Sequence, residues 1–260
     1  MSKNPDWTRD QHLLAFRLYN EIPFGSIHTG NPKLQSLANL IGRGINAVSL
    51  KLANFARLDP VQQKRNIKGM SHGAKGEEEI WTAYLQNPEA IALESDRVLA
   101  KWTGKTVEDV AEIETYDLPP EGTERAAVVK IRANQSFFRR RVLSAFDFKC
   151  CVTGLTSPTL LNASHILPWA SDKTNRLNPK NGLCLNALHD RAFDRHLMWI
   201  DQTGLVRFAP NLRTSKGQNA SAVEWLTRRE GQPLILPEKF APDSAFLKEH
   251  AAKCVTKSYS

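Results

Sequence analysis

Cysteine is scarce in this sequence of 260 residues, and its four copies form no metal-binding or disulfide pattern. Cys150 and Cys151 are adjacent, whereas Cys184 and Cys254 stand alone. Because there is no CxxC pair, we expect neither a disulfide framework nor a structural zinc. This use of cysteine fits a reducing, cytoplasmic environment.

Long apolar runs are missing as well. No segment reaches the roughly 18 apolar residues that a membrane-spanning helix needs. The first residues, MSKNPDWTRDQHLL, lack the apolar core of a secretory signal. The sequence therefore predicts a cytoplasmic protein that has no membrane partner.

Acidic residues are outnumbered by basic ones, 27 to 35, which gives a formal net charge of +8. A basic excess fits a polyanionic partner, because each neutralised phosphate releases a counterion. Mildly basic proteins of other kinds are common, so the charge favours a nucleic-acid partner without establishing it.

The composition divides the chain into three regions and predicts an α+β fold. Residues 1–60 have a helical pattern. Residues 61–125 begin with the basic stretch QQKRNIKGMSHGAKG and end near the proline-containing TYDLPPEGTE, which predicts a helical spacer and linker. Residues 126–260 combine a helix, short strands and turns, and we expect them to form the catalytic domain.

The first region contains two helical segments that are separated by Gly42-Arg43-Gly44. Apolar residues recur at helical spacing in KLQSLANLI, and Asn46 is a suitable cap for the second helix. The apolar stripe of that helix is predicted to contain Ala47, Val48, Leu50, Leu52, Phe55 and Leu58. This arrangement predicts either a helix-turn-helix or a plain helical hairpin that only packs.

The string LANLIGRGINAVSLKLANF resembles the helix-turn-helix segments of bacterial regulators. In such segments the second helix enters the major groove of DNA. The resemblance implies DNA contacts by Arg43, Asn46, Ser49 and Lys51.

An amphipathic helix is predicted at 132–149, with Phe138, Val142, Leu143 and Phe146 directed inward. The successive charges at 139–141 are consistent with a solvated face or with a phosphate-binding surface. We take Arg139 and Arg140 as candidate DNA contacts.

The segment 159–208 predicts a strand, a loop, a second strand, a helix and a hairpin. The first strand ends at Ser164-His165, Asn181-Gly182 forms a turn, and Asn186 caps a helix that reaches about Leu197. On that helix His189 and His196 fall within the apolar face, whereas Asp190 and Asp194 share one side. The histidines are either ordinary core residues or part of a site with His165.

Three motifs, CVTG, ASHILPW and NPKNGLCLNALHDRAFD, together resemble the HNH endonuclease family, which has the ββα-metal fold. The resemblance covers about 132–208, with the motifs themselves between Cys151 and Asp201. It implies that His165 is the general base, that Asn181 braces and orients it, and that His189 is a catalytic metal ligand. Asp194 is the second candidate ligand, and Asp190 is a weaker alternative.

The same resemblance implies a divalent metal ion, with Mg²⁺ preferred and Mn²⁺ or Ni²⁺ acceptable. Lys173, Arg176 and Lys180 are candidates to hold the DNA backbone. The sequence departs from many relatives at Ser164, where those enzymes carry a metal ligand. Another group must therefore complete the metal shell.

The function that the sequence predicts is metal-dependent hydrolysis of double-stranded DNA to 5′-phosphate and 3′-hydroxyl ends. A restriction or phage-defence role is the natural use of such a core joined to a DNA-reading segment. The alternatives are a non-catalytic DNA-binding protein with a degenerate HNH core and an RNA-cleaving nuclease. Cleavage of both strands would require two copies of the site, which predicts a homodimer.

Overall fold

A computed structural model describes residues 6–63, 75–214, 217, 219–237 and 239–258. Most of the basic stretch that begins at Gln62 lies outside these residues. The chain forms two compact units, Met1–Arg141 and Val142–Ser260. Among the described residues, no helix is both long and apolar enough to cross a membrane.

The first unit is built from helices. They are α1 (Arg9–Glu21), α2 (Pro32–Ile41), α3 (Ile45–Leu58), α4 (Pro60–Gln63), α5 (Lys75–Gln86), α6 (Pro88–Thr103), α7 (Val107–Val110) and α8 (Thr123–Ala145), whose last residues enter the second unit. A single-turn 3₁₀ helix, Phe24–Ser26, follows α1.

Helix α1 is the centre of the first unit, and α2, α3, α5 and α6 all pack against it. Its first turn is fixed by a capping box, in which the Thr8 side chain accepts from the Gln11 backbone and the Gln11 side chain accepts from the Thr8 backbone. Phe16, which is fully buried, has Phe55 and Phe137 as ring neighbours at centroid distances of 5.6 and 6.2 Å. Aromatic rings therefore form part of the core around α1.

Helices α2 and α3 form as the sequence predicts, but the buried face of α3 differs. The turn is closed by Gly42 at φ 65°, a left-handed conformation that glycine adopts without strain. Gly44, not Asn46, is the N-cap of α3. Leu50 is 42% exposed, whereas Lys51 and Asn54 are buried.

Glu77 on α5 explains why polar residues of α3 turn inward. Its buried carboxylate accepts hydrogen bonds from Lys51 Nζ and Asn54 Nδ2, both at 2.8 Å, and lies 3.2 Å from His12 Nε2. Burial alone would raise the pKa of Glu77, but the hydrogen bonds from His12, Lys51 and Asn54 lower it to about 2. A negative charge inside the unit thus selects the face that α3 buries.

The structure divides the chain differently from the predicted boundaries at 60 and 125. The predicted spacer supplies α5 and α6, which pack against α1 and bury Ile80, Trp81 and Ile91. Helix α8 begins at Thr123, nine residues before the expected start at 132. The reason is apolar burial, which makes the middle region part of the first compact unit.

A buried ion cluster joins α1, α6 and α8 within the first unit. The Asp96 carboxylate, which is fully buried, accepts from Arg17 Nε at 2.8 Å and from Arg140 Nη2 at 2.9 Å. Glu21 pairs with the same two arginines, at 2.5 Å to Arg17 and 2.9 Å to Arg140. Two cations and two carboxylates therefore neutralise one another out of water.

The second unit contains the predicted strand-strand-helix arrangement. Its elements are β1 (Leu161–His165), β2 (Gly182–Asn186), α9 (Ala187–Asp194), β3 (Met198–Ile200), β4 (Val206–Phe208), α10 (Asn211–Thr214), α11 (Ala220–Thr227) and α12 (Ser244–Ser258). Strands β1 and β2 are antiparallel, as are β3 and β4. Helices combined with small antiparallel sheets confirm the predicted α+β class.

Helix α9 begins where the sequence predicts, at the Asn186 cap, whose side chain accepts from His189 N. It ends earlier than predicted, at Asp194 rather than Leu197. The backbone N–H groups of His196 and Leu197 bond back to Phe193 O and Ala192 O, at 2.9 and 2.8 Å. This pair of bonds is a Schellman motif, which terminates the helix.

We predict that Asp96→Asn strongly destabilises the first unit, because it removes the charge of a fully buried carboxylate that the guanidinium groups of Arg17 and Arg140 share. The free energy of unfolding is expected to fall by about 3–5 kcal/mol in urea denaturation. The matched control is Glu94→Gln, which removes an exposed ion pair with Arg9 and is expected to cost at most about 1 kcal/mol. Equal losses for the two variants would contradict this view of the cluster.

Candidate active site

The scaffold of the site is the β1–β2 pair with α9 packed against both strands. The register pairs His165, at the end of β1, with Gly182, at the start of β2. Asn162 Nδ2 donates to Asp190 Oδ2 on α9 at 2.8 Å. The long connection between β1 and β2 is therefore next to His165, and α9 lies against the sheet.

His165 is held by the backbone of that connection. Its Nε2 lies 3.0 Å from Arg176 O, and its ring meets the Trp169 ring edge-on at a centroid distance of 5.6 Å. Burial lowers the pKa of His165 below its usual 6.5, although the bond to the Arg176 carbonyl acts in the opposite direction. A neutral ring that donates from Nε2 carries its lone pair on Nδ1.

Asn181 fastens the connection to the end of β1. The side chain is fully buried; its Oδ1 accepts from Leu167 N at 2.8 Å, and its Nδ2 donates to Leu167 O at 3.1 Å and Asn175 O at 3.3 Å. Its backbone carbonyl accepts from Ile166 N at 2.9 Å. The bracing role predicted for Asn181 fits this geometry, since the side chain fixes both ends of the connection.

Further amide contacts stiffen the connection. Asp172 accepts from the backbone N–H groups of Thr174 and Asn175 and from the Asn175 side chain, and Asn175 Oδ1 accepts from Asn178 Nδ2. The hydrogen bond from the Asn175 side chain is the main cause of the lowered pKa of Asp172. Together these bonds position the Arg176 carbonyl that orients His165.

His189 lies in the core of the second unit. It is fully buried, with Nδ1 at 3.0 Å from Asn186 Oδ1 and Nε2 at 3.1 Å from Leu226 O. A neutral imidazole can donate to only one of these two oxygens, so one ring nitrogen keeps its lone pair. The contacts hold the ring in the core of the second unit, and the metal-ligand role of His189 stays a prediction.

Asp190 and Asp194 form the acidic side of α9. They are one turn apart, and Asp190 is tied to β1 through Asn162. Although Asp194 is exposed as a residue, partial burial of its carboxylate and the nearby charge of Asp190 raise its pKa. Repulsion of this kind is relieved when a cation binds between carboxylates.

Ser164 lies on the same face of β1 as Asn162, since alternate residues of a strand share a face. Its Oγ is buried and has no hydrogen-bond partner among the described residues. The hydroxyl brings no charge to this face, so the two carboxylates of α9 are the candidate ligands for a cation. The two carboxylates suit Mg²⁺, which is commonly held by one or two carboxylates, water and substrate phosphate oxygens.

The cations of the connection divide into two groups. Lys173 is exposed and Lys180 is half-buried, so both ammonium groups can reach a phosphate. Arg176 instead donates from Nε to Trp169 O at 2.9 Å, with its guanidinium 5.0 Å from the Trp169 ring centre. Arg176 therefore serves first to shape the connection.

The predicted DNA contacts of the first unit are only partly accessible. Asn46 is exposed and Ser49 is half-buried, but Lys51 is paired with Glu77 inside the unit. Arg43 Nη2 donates to Asp6 O and Gln11 Oε1, at 2.8 and 2.9 Å. Lys51 therefore neutralises the buried carboxylate of Glu77, and its contact with DNA stays a prediction.

The candidate DNA contacts on α8 are also only partly accessible. Arg140 is bound to Glu21 and Asp96, so it is a structural cation rather than a phosphate ligand. Arg139 is half-buried. The sequence shows a run of positive charge but not the carboxylates of α1 and α6 that neutralise part of it.

The second unit thus has two antiparallel strands followed by a helix, with His165 at the end of β1 and the carboxylates of Asp190 and Asp194 on α9. Residues 150–201 match the model of the HNH endonuclease family. This segment of the chain is therefore an HNH domain, as the motifs predict. No curated protein matches the chain.

One cluster in the second unit is absent from the sequence-based prediction. His196, His250 and Cys254 each direct a ligand atom to a common point, with all three atoms within 4.8 Å of one another. The residues are too far apart in sequence to form a recognisable metal motif. The sequence signal for this cluster is limited to the four-residue spacing of His250 and Cys254, which places both on one side of α12.

We predict that Asn181→Ala loosens the connection, because it leaves buried backbone groups of Leu167 and Asn175 without their partner. The free energy of unfolding is expected to fall by about 2–4 kcal/mol, and the amide of Leu167 is expected to exchange faster with solvent deuterium. Lys173→Ala, an exposed change in the same connection, is the control and should shift stability by no more than about 0.5 kcal/mol. Unchanged exchange at Leu167 would show that Asn181 does not brace this backbone.

Proposed function

We propose that the second unit is a metal-dependent endonuclease that hydrolyses phosphodiester bonds of double-stranded DNA. The proposal depends on the orientation of His165 within the HNH domain. Its Nε2 lies 3.0 Å from the carbonyl oxygen of Arg176. The same ring has a lowered pKa, so it is neutral at physiological pH and can accept a proton.

In the proposed reaction, Nδ1 of His165 takes a proton from a water molecule while the water oxygen attacks phosphorus. The bond from phosphorus to the 3′ oxygen breaks, and that oxygen is protonated by solvent. The products are a 5′-phosphate and a 3′-hydroxyl. Asn181 contributes indirectly, because it holds the backbone that orients the ring.

Asp194 and Asp190 are the residues that would hold the divalent cation, with Mg²⁺ preferred over Mn²⁺ or Ni²⁺ for an oxygen ligand set. When bound, the cation supplies positive charge for the phosphate and the departing oxygen. Lys173 and Lys180 add positive charge from the connection between β1 and β2. This assignment replaces His189 by Asp190 in the ligand set.

The first unit is proposed to hold the DNA through the exposed surface of α3 near Asn46 and Ser49. The net charge of +8 supports a polyanionic partner. A restriction or phage-defence role in the cytoplasm, with a homodimer cutting both strands, completes the proposal. A degenerate, non-cleaving core and an RNA nuclease are the alternatives that the experiments below separate.

We predict that His165→Ala lowers the rate of plasmid cleavage in Mg²⁺ by about 10²–10⁴-fold, because the general base is lost. Binding of duplex DNA, measured by fluorescence anisotropy in the presence of a chelator, should be unchanged. His28→Ala is the matched control, since this exposed histidine lies in the first unit. If the unsubstituted protein cleaves nothing in any divalent metal, the non-catalytic alternative is favoured. If it cleaves RNA faster than DNA, the RNA nuclease is favoured.

We predict that Asp194→Asn raises the Mg²⁺ concentration needed for half-maximal cleavage by at least about tenfold, as expected for a group that holds the cation. His189→Gln should chiefly lower stability, since that ring is part of the core. Rates are measured as a function of Mg²⁺ concentration for both variants. A normal Mg²⁺ dependence for Asp194→Asn, together with a raised requirement for His189→Gln, would restore the original assignment.

The pH dependence follows from the lowered pKa of His165. A base must be neutral, so activity is retained down to the folded-state pKa and lost as the pH falls through it. The acid limb of kcat/KM is therefore expected to have its midpoint below 6.5, the usual value for histidine. Single-turnover cleavage between mildly acidic and neutral pH provides the measurement. A midpoint above 6.5 would show that another group limits the rate.

A further inference from the structure

The cluster of His196, His250 and Cys254 lies within the second unit, next to the C-terminal end of α9, where His196 follows Asp194 by two residues. His250 and Cys254 are one turn apart on α12 and are buried, whereas His196 follows α9 and is half-buried. Cys254 Sγ lies 3.5 Å from His250 Nδ1 and 3.7 Å from His196 Nδ1. Two imidazoles and a thiol therefore converge from two separate segments.

These distances fit tetrahedral coordination of zinc. With Zn–S of about 2.3 Å and Zn–N of about 2.0–2.1 Å, adjacent sulfur and nitrogen ligands are separated by about 3.6 Å. Hydrogen bonds can also join these groups, since the sulfur can donate to one imidazole and accept from the other. The ligand set of one sulfur and two nitrogens selects zinc over magnesium.

The surroundings of His250 determine which of its ring nitrogens could bind a metal. Its Nε2 lies 3.2 Å from Phe193 O, and its ring stacks on Phe193 at a centroid distance of 3.7 Å. A neutral ring that donates from Nε2 to this carbonyl leaves its lone pair on Nδ1, which is the nitrogen nearer to Cys254 Sγ, at 3.5 Å against 3.9 Å for Nε2. Metal-binding histidines commonly have such a carbonyl behind the second ring nitrogen.

His196 occupies a backbone position that favours glycine. Its φ is 59°, in the left-handed region, at the residue that closes the Schellman motif of α9. Glycine is the usual residue there because a Cβ is unfavourable in this conformation. A histidine at a strained position is explained if its imidazole has a function, and the ring points at the cluster.

We propose that His196, His250 and Cys254 bind a zinc ion, distinct from the catalytic cation, that fastens α12 to the HNH core. The half-buried position of His196 leaves room for a water molecule as the fourth ligand. Helix α12 packs against β3, so the ion would add a crosslink between this helix and the end of α9. The proposal revises the expectation, drawn from cysteine spacing, that no structural zinc is present.

The test measures metal content and spectroscopy, not DNA cleavage, so its result is independent of the proposed nuclease function. The full-length protein is purified without chelator, and its zinc content is determined by mass spectrometry. The protein is also stripped and reloaded with Co²⁺, whose thiolate complex has a charge-transfer absorption. We expect about one zinc ion per chain, a thiolate–cobalt band, and a lower Tm after zinc is removed.

Two variants and one control make the test specific. Cys254→Ser is expected to abolish the thiolate–cobalt band and weaken zinc binding at least about 100-fold. His196→Gly removes the imidazole and supplies the residue that the backbone conformation prefers. If the cluster is purely structural, this variant should be stable and its zinc content should equal that of the unsubstituted protein. The zinc proposal predicts that His196→Gly loses the bound zinc, whereas the exposed control His28→Ala keeps it.

Two results would overturn the zinc proposal. A protein that takes up no zinc from equimolar zinc chloride, and shows no thiolate–cobalt band, has no such site. Zinc that persists unchanged in both Cys254→Ser and His196→Gly is bound elsewhere.

Discussion

The buried Asn181 side chain is the interaction on which the proposed chemistry depends. Its amide bonds both backbone groups of Leu167 and the carbonyl of Asn175, which fixes the connection that leaves β1 and returns to β2. That connection in turn presents the Arg176 carbonyl to His165. A single buried amide therefore determines which ring nitrogen carries the lone pair, because removing it would leave several backbone groups unsatisfied.

The polar residues of α9 have different environments, which their hydrogen-bond partners determine. The Asn186 cap and α11 draw His189 into the core, whereas Asp190 and Asp194 remain on the side that packs towards β1. Carboxylates that repel each other are unfavourable without a cation. In the proposed site, the helix therefore supplies the ligand charge that Ser164 does not, and substrate phosphate and water would complete the metal shell.

The strand-strand-helix core was predictable because its signals are local: an alternating strand before His165, a turn at Asn181-Gly182 and a cap at Asn186. The inward face of α3 was not, because it depends on Glu77, which is distant in sequence and buried beside Lys51 and Asn54. The same limit applies to Arg140, whose partners lie on α1 and α6. It applies again to His196 and Cys254, which meet only after the chain folds. Helical periodicity predicts that polar residues face solvent. This prediction fails where a residue that is distant in sequence forms a buried ion pair with one of them.

The central claim is that His165 is a neutral imidazole whose Nδ1 carries the lone pair. Nitrogen-15 NMR of the full-length protein, titrated with acid, reports both the protonated nitrogen and the pKa of this ring, with His165→Gln used for assignment. The account predicts a hydrogen on Nε2, a lone pair on Nδ1 and a pKa below 6.5. A hydrogen on Nδ1, or a ring that is already protonated at neutral pH, would contradict it.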